Sequence, residues 1–174
     1  MNTLMNTIIS RRSVRSYKSD PVPQELLDRI IDAGLYAASG MGRQDTVIIE
    51  VTDCEMRDRL SRMNAAVMGR DDVDPFYGAP TVFVVLARRD VPTHVYDGSL
   101  TLGNMMLAAH ELGLGSCWIH RAKEEFDSEE GKSILRSLGI CEDLEGIGHL
   151  IVGYPDGELP EAPARKNGRV YYVR

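Results

Sequence analysis

The segment from Asp97 to Leu112 constrains this sequence more than any other. Leu100, Leu102, Met105, Met106, Leu107, Ala108, Ala109 and Leu112 leave a helix there almost no polar side. A surface helix shows one apolar stripe, so a helix that is apolar nearly all round belongs in the middle of a fold or at a subunit interface. Gly113 and Gly115 suit its C-terminal stop. The run Thr81–Leu86, after Gly78-Ala79-Pro80, reads as a fully buried strand, and Ser116-Cys117-Trp118-Ile119 as the strand that follows the helix.

The remaining segments alternate in kind. Leu4, Ile8 and Ile9 share one side of a short helix over residues 3–10, and a turn follows at Lys18–Pro23. Pro23 suits a first helical position, and Leu26, Leu27, Ile30, Ile31 and Leu35 carry helical spacing to about Ala38. Gly40 and Gly42 end that helix before the β-rich Thr46–Val51. A polar helix over roughly 53–63, a charged helix from Lys123 to Leu138, and a strand from Ile147 to Val152 complete the interior. Arg169–Val173 has strand character. About five helices and five strands in mixed order, with no repeat or linker, predict one α+β domain over residues 1–174.

A chain of 174 residues buries a sizeable core without disulfides. Its net charge of −6 argues against general binding to nucleic acid or an anionic membrane. No apolar stretch has the length of a membrane helix, and the N-terminal apolar run is too short for a signal peptide. Cys54, Cys117 and Cys141 form no CxxC pair, and no Cys/His group has metal-ligand spacing. A reduced, cytoplasmic setting without a metal site is the expectation.

Positive charge is concentrated near the two ends. Arg11, Arg12 and Arg15, with Ser13 among them, offer three planar donor forks and a hydroxyl within five residues, which suits phosphate oxygens. A solvated basic patch past a helix C-terminus is the alternative, since cations are favoured there. Arg165-Lys166 alone reads as a solvated tail, unless both clusters meet on one anion. The glycines of Leu112–Gly115 follow a helix instead of a strand, so no dinucleotide fingerprint exists. Cys117, in a predicted buried strand, is expected to act as a small hydrophobe. Of the four scattered histidines, His120 alone lies at a strand end where site residues collect, and His110 reads as a core or interface residue. The acidic run Lys123–Glu130 reads as a solvated helix start. At this point a phosphate site remains one possibility among others.

Several segments, taken in order, resemble the nitroreductase family of FMN-dependent enzymes. These are Arg11–Tyr17 with Pro21-Val22-Pro23, Ala37–Gln44, Phe76–Pro80, Asp97–Ala109, Leu112–Ile119, Gly153-Tyr154-Pro155 and Pro163–Lys166. The resemblance implies a central, mostly antiparallel sheet flanked by helices in an intertwined homodimer. It implies ping-pong hydride transfer from NAD(P)H through FMN to nitroaromatics, quinones or similar small electron acceptors. Other flavin chemistry (dehalogenation or flavin breakdown) and a non-catalytic FMN-binding sensor or carrier are the alternatives.

By the same resemblance, Arg11, Arg12, Ser13 and Arg15 would contact the FMN phosphate, ribityl chain and pyrimidine edge. Arg15 would lie near flavin N1 and O2. Arg165, with Lys166 beside it, would meet the phosphate. Ser39 and Gln44 would reach the flavin from the partner subunit. Trp118, Ile119 and His120 would lie along the isoalloxazine ring, their backbone N–H groups near N5, with His120 also on the substrate side. No side-chain acid or nucleophile is then required. The sequence departs from the family where Asn and then Gln-Pro-Trp are usual: Gly42, Gln44, Asp45 and Thr46 stand there. The departure bears on substrate contacts more than on FMN, and the short chain implies an open pocket.

Overall fold

Every residue of the run Thr81–Ala87 is buried, which the chain achieves by covering both faces of one sheet. The computed structural model describes residues 3–174. Its strands are β1 (Thr46–Val51), β2 (Thr81–Arg88), β3 (Gly115–Ile119) and β4 (Leu144–Gly153), in the spatial order β1-β2-β4-β3. All three pairings are antiparallel. Its helices are α1 (Thr3–Ser10), α2 (Gln24–Leu35), α3 (Cys54–Met68), α4 (His94–Glu111), α5 (Ala122–Asp127) and α6 (Glu129–Ser137).

Side chains of a strand alternate between faces. In β2, Val82, Val84 and Leu86 join Leu60, Phe126, Ile134 and Ile151 in the layer beneath α3, α5 and α6. Phe83, Val85 and Ala87 join Leu27, Ile30, Leu102, Met105 and Leu150 beneath α2 and α4. Each full burial of a Val, Leu or Phe contributes about 1.5–3 kcal/mol, so β2 anchors both layers. Helix α4 reaches the sheet because Gly98 has no side chain; a Cβ there would lie 2.5 Å from Ile147 Cγ1. Val95, Tyr96 and Leu100 of the same helix stay exposed.

Several expectations change. Pro23 stands at the N-cap of α2, which ends at Leu35, and β4 begins at Leu144. Helix α4 starts at His94, three residues before Asp97, and α3 runs on to Met68, where Gly69 at φ 68° closes it. The charged segment 123–138 is two helices. Ser128 breaks it: its Oγ donates to the Glu125 carbonyl (2.6 Å) and accepts from the Gly131 N–H (3.0 Å), capping α6. Arg169–Val173 forms no strand: these residues lie exposed and pair with no strand of the sheet, which leaves four strands among the described residues. Also among the described residues, no helix is long and apolar enough to cross a membrane.

Candidate functional site

Strand β3 is an edge strand, and the basic segment after α1 is stitched to its outer side. Ser13 bridges Ser116 in parallel, and the Val14 N–H donates to the Ser116 carbonyl (3.0 Å). Gly115 permits this approach, since a Cβ on it would lie 2.8 Å from Val14 Cγ2. The Tyr17 hydroxyl donates to the Val14 carbonyl (2.7 Å), and the Lys18 N–H donates to the Tyr154 carbonyl (2.9 Å). Residues 13–18 are thus held between the start of β3 and the exit of β4. Burial, reinforced by neighbouring Cys117, holds the Tyr17 phenol far above its ordinary pKa, so it stays a neutral donor.

The guanidiniums at this clamp face different surroundings. Arg11 Nη1 is buried and has no hydrogen-bond partner in the protein. Arg12 donates from Nη1 to the Ile9 carbonyl (2.8 Å) and from Nε to the Pro160 carbonyl (3.1 Å), which ties the C-terminal segment to the N-terminal one. Arg15 is exposed. Behind Arg11, His110 Nε2 lies 2.7 Å from Ser10 Oγ. Burial first, then the Arg11 charge, hold His110 below its ordinary pKa. Ser116 Oγ is a second buried polar atom with no partner. An unpaired buried donor costs about 1–3 kcal/mol, so the clamp presents groups that an anion's oxygens would satisfy.

The outer edge of β3 continues open past the clamp. The Ser116 carbonyl points away from β4, and residues two apart in an antiparallel strand point their backbone groups the same way. The N–H of Trp118 therefore faces that open edge. The Trp118 ring does not: a Cβ on Gly148 would lie 2.4 Å from its Nε1, so the indole packs against β4, with Leu102 of α4 close to the same glycine. Ile119 is buried and His120 exposed. Of these three, Trp118 offers a ligand at this edge its backbone and not its ring, while Ile119, one residue on, turns its backbone groups toward His149 of β4 and its buried side chain into the core.

Ser39 and Gln44 lie elsewhere. Their loop is pinned to the N-terminus of α4, where Asp97 accepts from the Gly40 N–H (3.0 Å) and the Thr93 hydroxyl (2.7 Å). A Cβ on Gly40 would lie 2.2 Å from Thr93 Oγ1. Ser39 Oγ accepts from the Gln44 N–H (3.0 Å), and Gln44 takes φ 52°. An open groove of about 540 Å³ runs along Tyr36, Ala38, Ser39 and Gln44. Neighbouring Asp45 is buried with neither carboxylate oxygen hydrogen-bonded. From Asp97 to His110 the helix rises about 20 Å, so Ser39 and Gln44 stand at one end of α4 and Arg11 at the other. Arg165 and Lys166 are exposed, with Arg165 Nη2 donating to the Pro163 carbonyl (2.7 Å). Five residues of chain separate Arg165 from Pro160, at most about 18 Å, which keeps it within reach of the clamp.

One cluster escapes a reading of the sequence. Glu125, within the run expected to be solvated, is 1% exposed, and His149 is 0% exposed. His149 Nε2 lies 3.3 Å from Glu125 Oε2. Asn64 donates from Nδ2 both to Glu125 Oε1 and to the His120 carbonyl, the latter at 2.8 Å. Phe76 and Phe126 flank the His149 ring, with centroids at 5.2 and 6.4 Å.

Comparison with known proteins places this geometry in context. A model described as the Nitroreductase family matches residues 8–154. A solved nitroreductase with bound FMN from Bacteroides fragilis superposes with a TM-score of 0.91 at 30% identity, covering 100% of each chain. The FMN reductase (NAD(P)H) of Bacillus subtilis is 24% identical over 183 residues, which span 94% of this chain and 70% of that protein. The NADPH-flavin oxidoreductase of Vibrio harveyi is 26% identical over 179 residues, spanning 95% and 70%.

Proposed function

The chain belongs to the nitroreductase family, and from that premise we propose that it is an NAD(P)H-dependent FMN oxidoreductase. It passes electrons by a ping-pong sequence to nitroaromatic, quinone or similar small acceptors, and it works as a homodimer. The observation that carries this reading is the clamp at β3, with a buried, unpaired donor on Arg11, an unpaired buried hydroxyl on Ser116 and an open strand edge.

These residues fit FMN. Its phosphate carries a charge of about −1.5 to −2, and Arg11, Arg12 and Ser13 supply donors at the clamp, with Arg165 and Lys166 brought toward it by the Arg12–Pro160 contact. Arg15, exposed beyond the clamp, balances negative charge on the pyrimidine edge of the reduced ring. The backbone N–H of Trp118 at the open edge, with His120 beyond it, orients the ring at N5, and the His120 side chain faces the substrate side. When bound, FMN supplies the hydride-accepting and hydride-donating chemistry; the protein supplies position and charge. Among the buried groups at the clamp, Tyr17 stays protonated and neutral, so the local field is set by the guanidiniums.

Ser39 and Gln44 complete the site from a second copy. Within one chain the length of α4 keeps them from Arg11, and Val95, Tyr96 and Leu100 leave an apolar face on that helix for the partner. The test is direct. Purified protein should carry one FMN per chain, bleach with NAD(P)H under anaerobic conditions, and recover colour when an acceptor is added. Colourless protein that ignores added FMN overturns the proposal.

A further inference from the structure

The polar cluster between α3, α5 and β4 has no part in the function proposed above, and it is a poor device for stability alone. A buried acid–base pair usually stabilises a fold no better than apolar side chains of the same volume. What distinguishes this pair is what it holds. Asn64, bound to Glu125, donates to the His120 carbonyl, the last backbone oxygen before the turn from β3 into α5. The next residue, Arg121, takes the left-handed conformation (φ 82°, ψ 5°), which a side-chain-bearing residue adopts only when its surroundings impose it.

Each carbonyl of that turn is held from a different side. The His120 oxygen accepts from Asn64, and the Arg121 oxygen accepts from the Glu125 N–H at 3.1 Å. The Ala122 oxygen sits where a Cβ on Gly146 would be only 2.2 Å away, so β4 lies tight against it. His149 pairs with Ile119 across the β3–β4 ladder and reaches back to Glu125. The chain of contacts therefore starts on β4, passes through Glu125 and Asn64, and ends on the backbone of the turn.

We propose that Asn64, Glu125 and His149 are positioning residues that hold the His120–Arg121 backbone in one conformation, so that the open end of β3 meets the flavin ring at a set distance. This rests on the flavin reading above. None of the three needs to touch the flavin or the substrate.

The test compares wild-type protein with Asn64→Ala, with Glu125→Gln, and with the triple variant Asn64→Leu/Glu125→Met/His149→Phe. The triple variant replaces the whole cluster by apolar groups, so a purely structural role predicts wild-type behaviour once it folds. A positioning role predicts a wild-type melting temperature, FMN binding weakened about tenfold, a displaced flavin midpoint potential, and faster amide exchange in the FMN-free protein at Glu125, whose N–H is bonded to the Arg121 carbonyl of the turn. Glu125→Gln keeps an acceptor for Asn64 and should keep wild-type affinity and potential. If the triple variant does not fold, Asn64→Ala read by the same affinity and exchange measurements decides. Wild-type affinity, potential and exchange in a folded variant that lacks Asn64 overturn this inference alone. Wild-type protein that binds no FMN overturns the functional reading and this inference together.

Discussion

Trp118 of β3 packs on the bare backbone of Gly148 in β4: a Cβ on that glycine would lie 2.4 Å from the indole Nε1 and 2.8 Å from Cε2. The pair ties the open strand edge to the central sheet. Because Trp118 is the chain's one tryptophan, its fluorescence reports on that contact without interference. Gly148→Ala should displace the indole, change the emission maximum, and destabilise the fold by about 1–3 kcal/mol through overpacking. Denaturant unfolding followed by Trp118 fluorescence measures both effects. An unchanged spectrum and midpoint would mean that β4 gives way and the ring does not depend on the glycine.

Arg11 separates ligand binding from folding. Its buried Nη1 has no protein partner, so Arg11→Gln removes a donor that the fold does not use. A charge-assisted hydrogen bond is worth about 1.5–3 kcal/mol, so FMN should bind roughly 10- to 150-fold more weakly. The melting temperature of the FMN-free variant should be no lower than that of the wild type, since the buried donor removed is an unpaired one. Equal FMN affinity in the two proteins would remove Arg11 from the phosphate site.

His110 gives the pH dependence. Burial and then the Arg11 charge lower its folded pKa, whereas the unfolded chain titrates near about 6.5. The unfolded state therefore binds the proton more readily. Its contribution to stability is complete above about 6.5 and is lost as pH falls through that value toward the lower folded pKa. His110→Gln should flatten this part of the stability profile. A phosphate beside Arg11 would offset the guanidinium, so adding FMN should raise the His110 pKa toward its ordinary value. An NMR titration of the ring protons with and without FMN checks this; identical midpoints would place the phosphate elsewhere.

Much of this architecture is legible in the residues because the deciding signals are local. Thr81–Leu86 is apolar at every position after Thr81 and rich in β-branched residues, which suits a strand covered on both faces, and β2 is that strand. Ser128-Glu129-Glu130 also carries a local signal, an N-cap followed by acids in the first turn, and it marks the break between α5 and α6 that apolar spacing alone conceals. Glu125 is different. It differs in no visible way from Glu124 and Asp127 beside it, and its burial depends on Asn64 and His149, which lie 61 residues before and 24 residues after it. Val170–Val173 has the composition of a strand, but composition does not supply a partner strand, and these residues lie exposed and unpaired among the described residues. The site divides along the same line. Arg11 and Ser13 are announced by a tight cluster, while the separation of Ser39 and Gln44 from them follows only from where α4 carries each end.

That separation yields a decisive experiment on the dimer. If one site takes Arg11 from one chain and Ser39 with Gln44 from the other, damage to the two groups can be sorted by chain. A heterodimer is assembled from an Arg11→Ala chain and a Ser39→Ala/Gln44→Ala chain carrying different affinity tags. One of its two sites then collects every lesion, and the other collects none. The tagged heterodimer should recover about half of the wild-type FMN binding and reductase activity, although each parent homodimer is impaired at both sites. If both groups served the same site from one chain, each site of the heterodimer would carry one lesion and nothing would be recovered. The roughly 20 Å of α4 between the two groups favours recovery, since a side chain at the Ser39 end does not span that distance to the Arg11 clamp of its own chain.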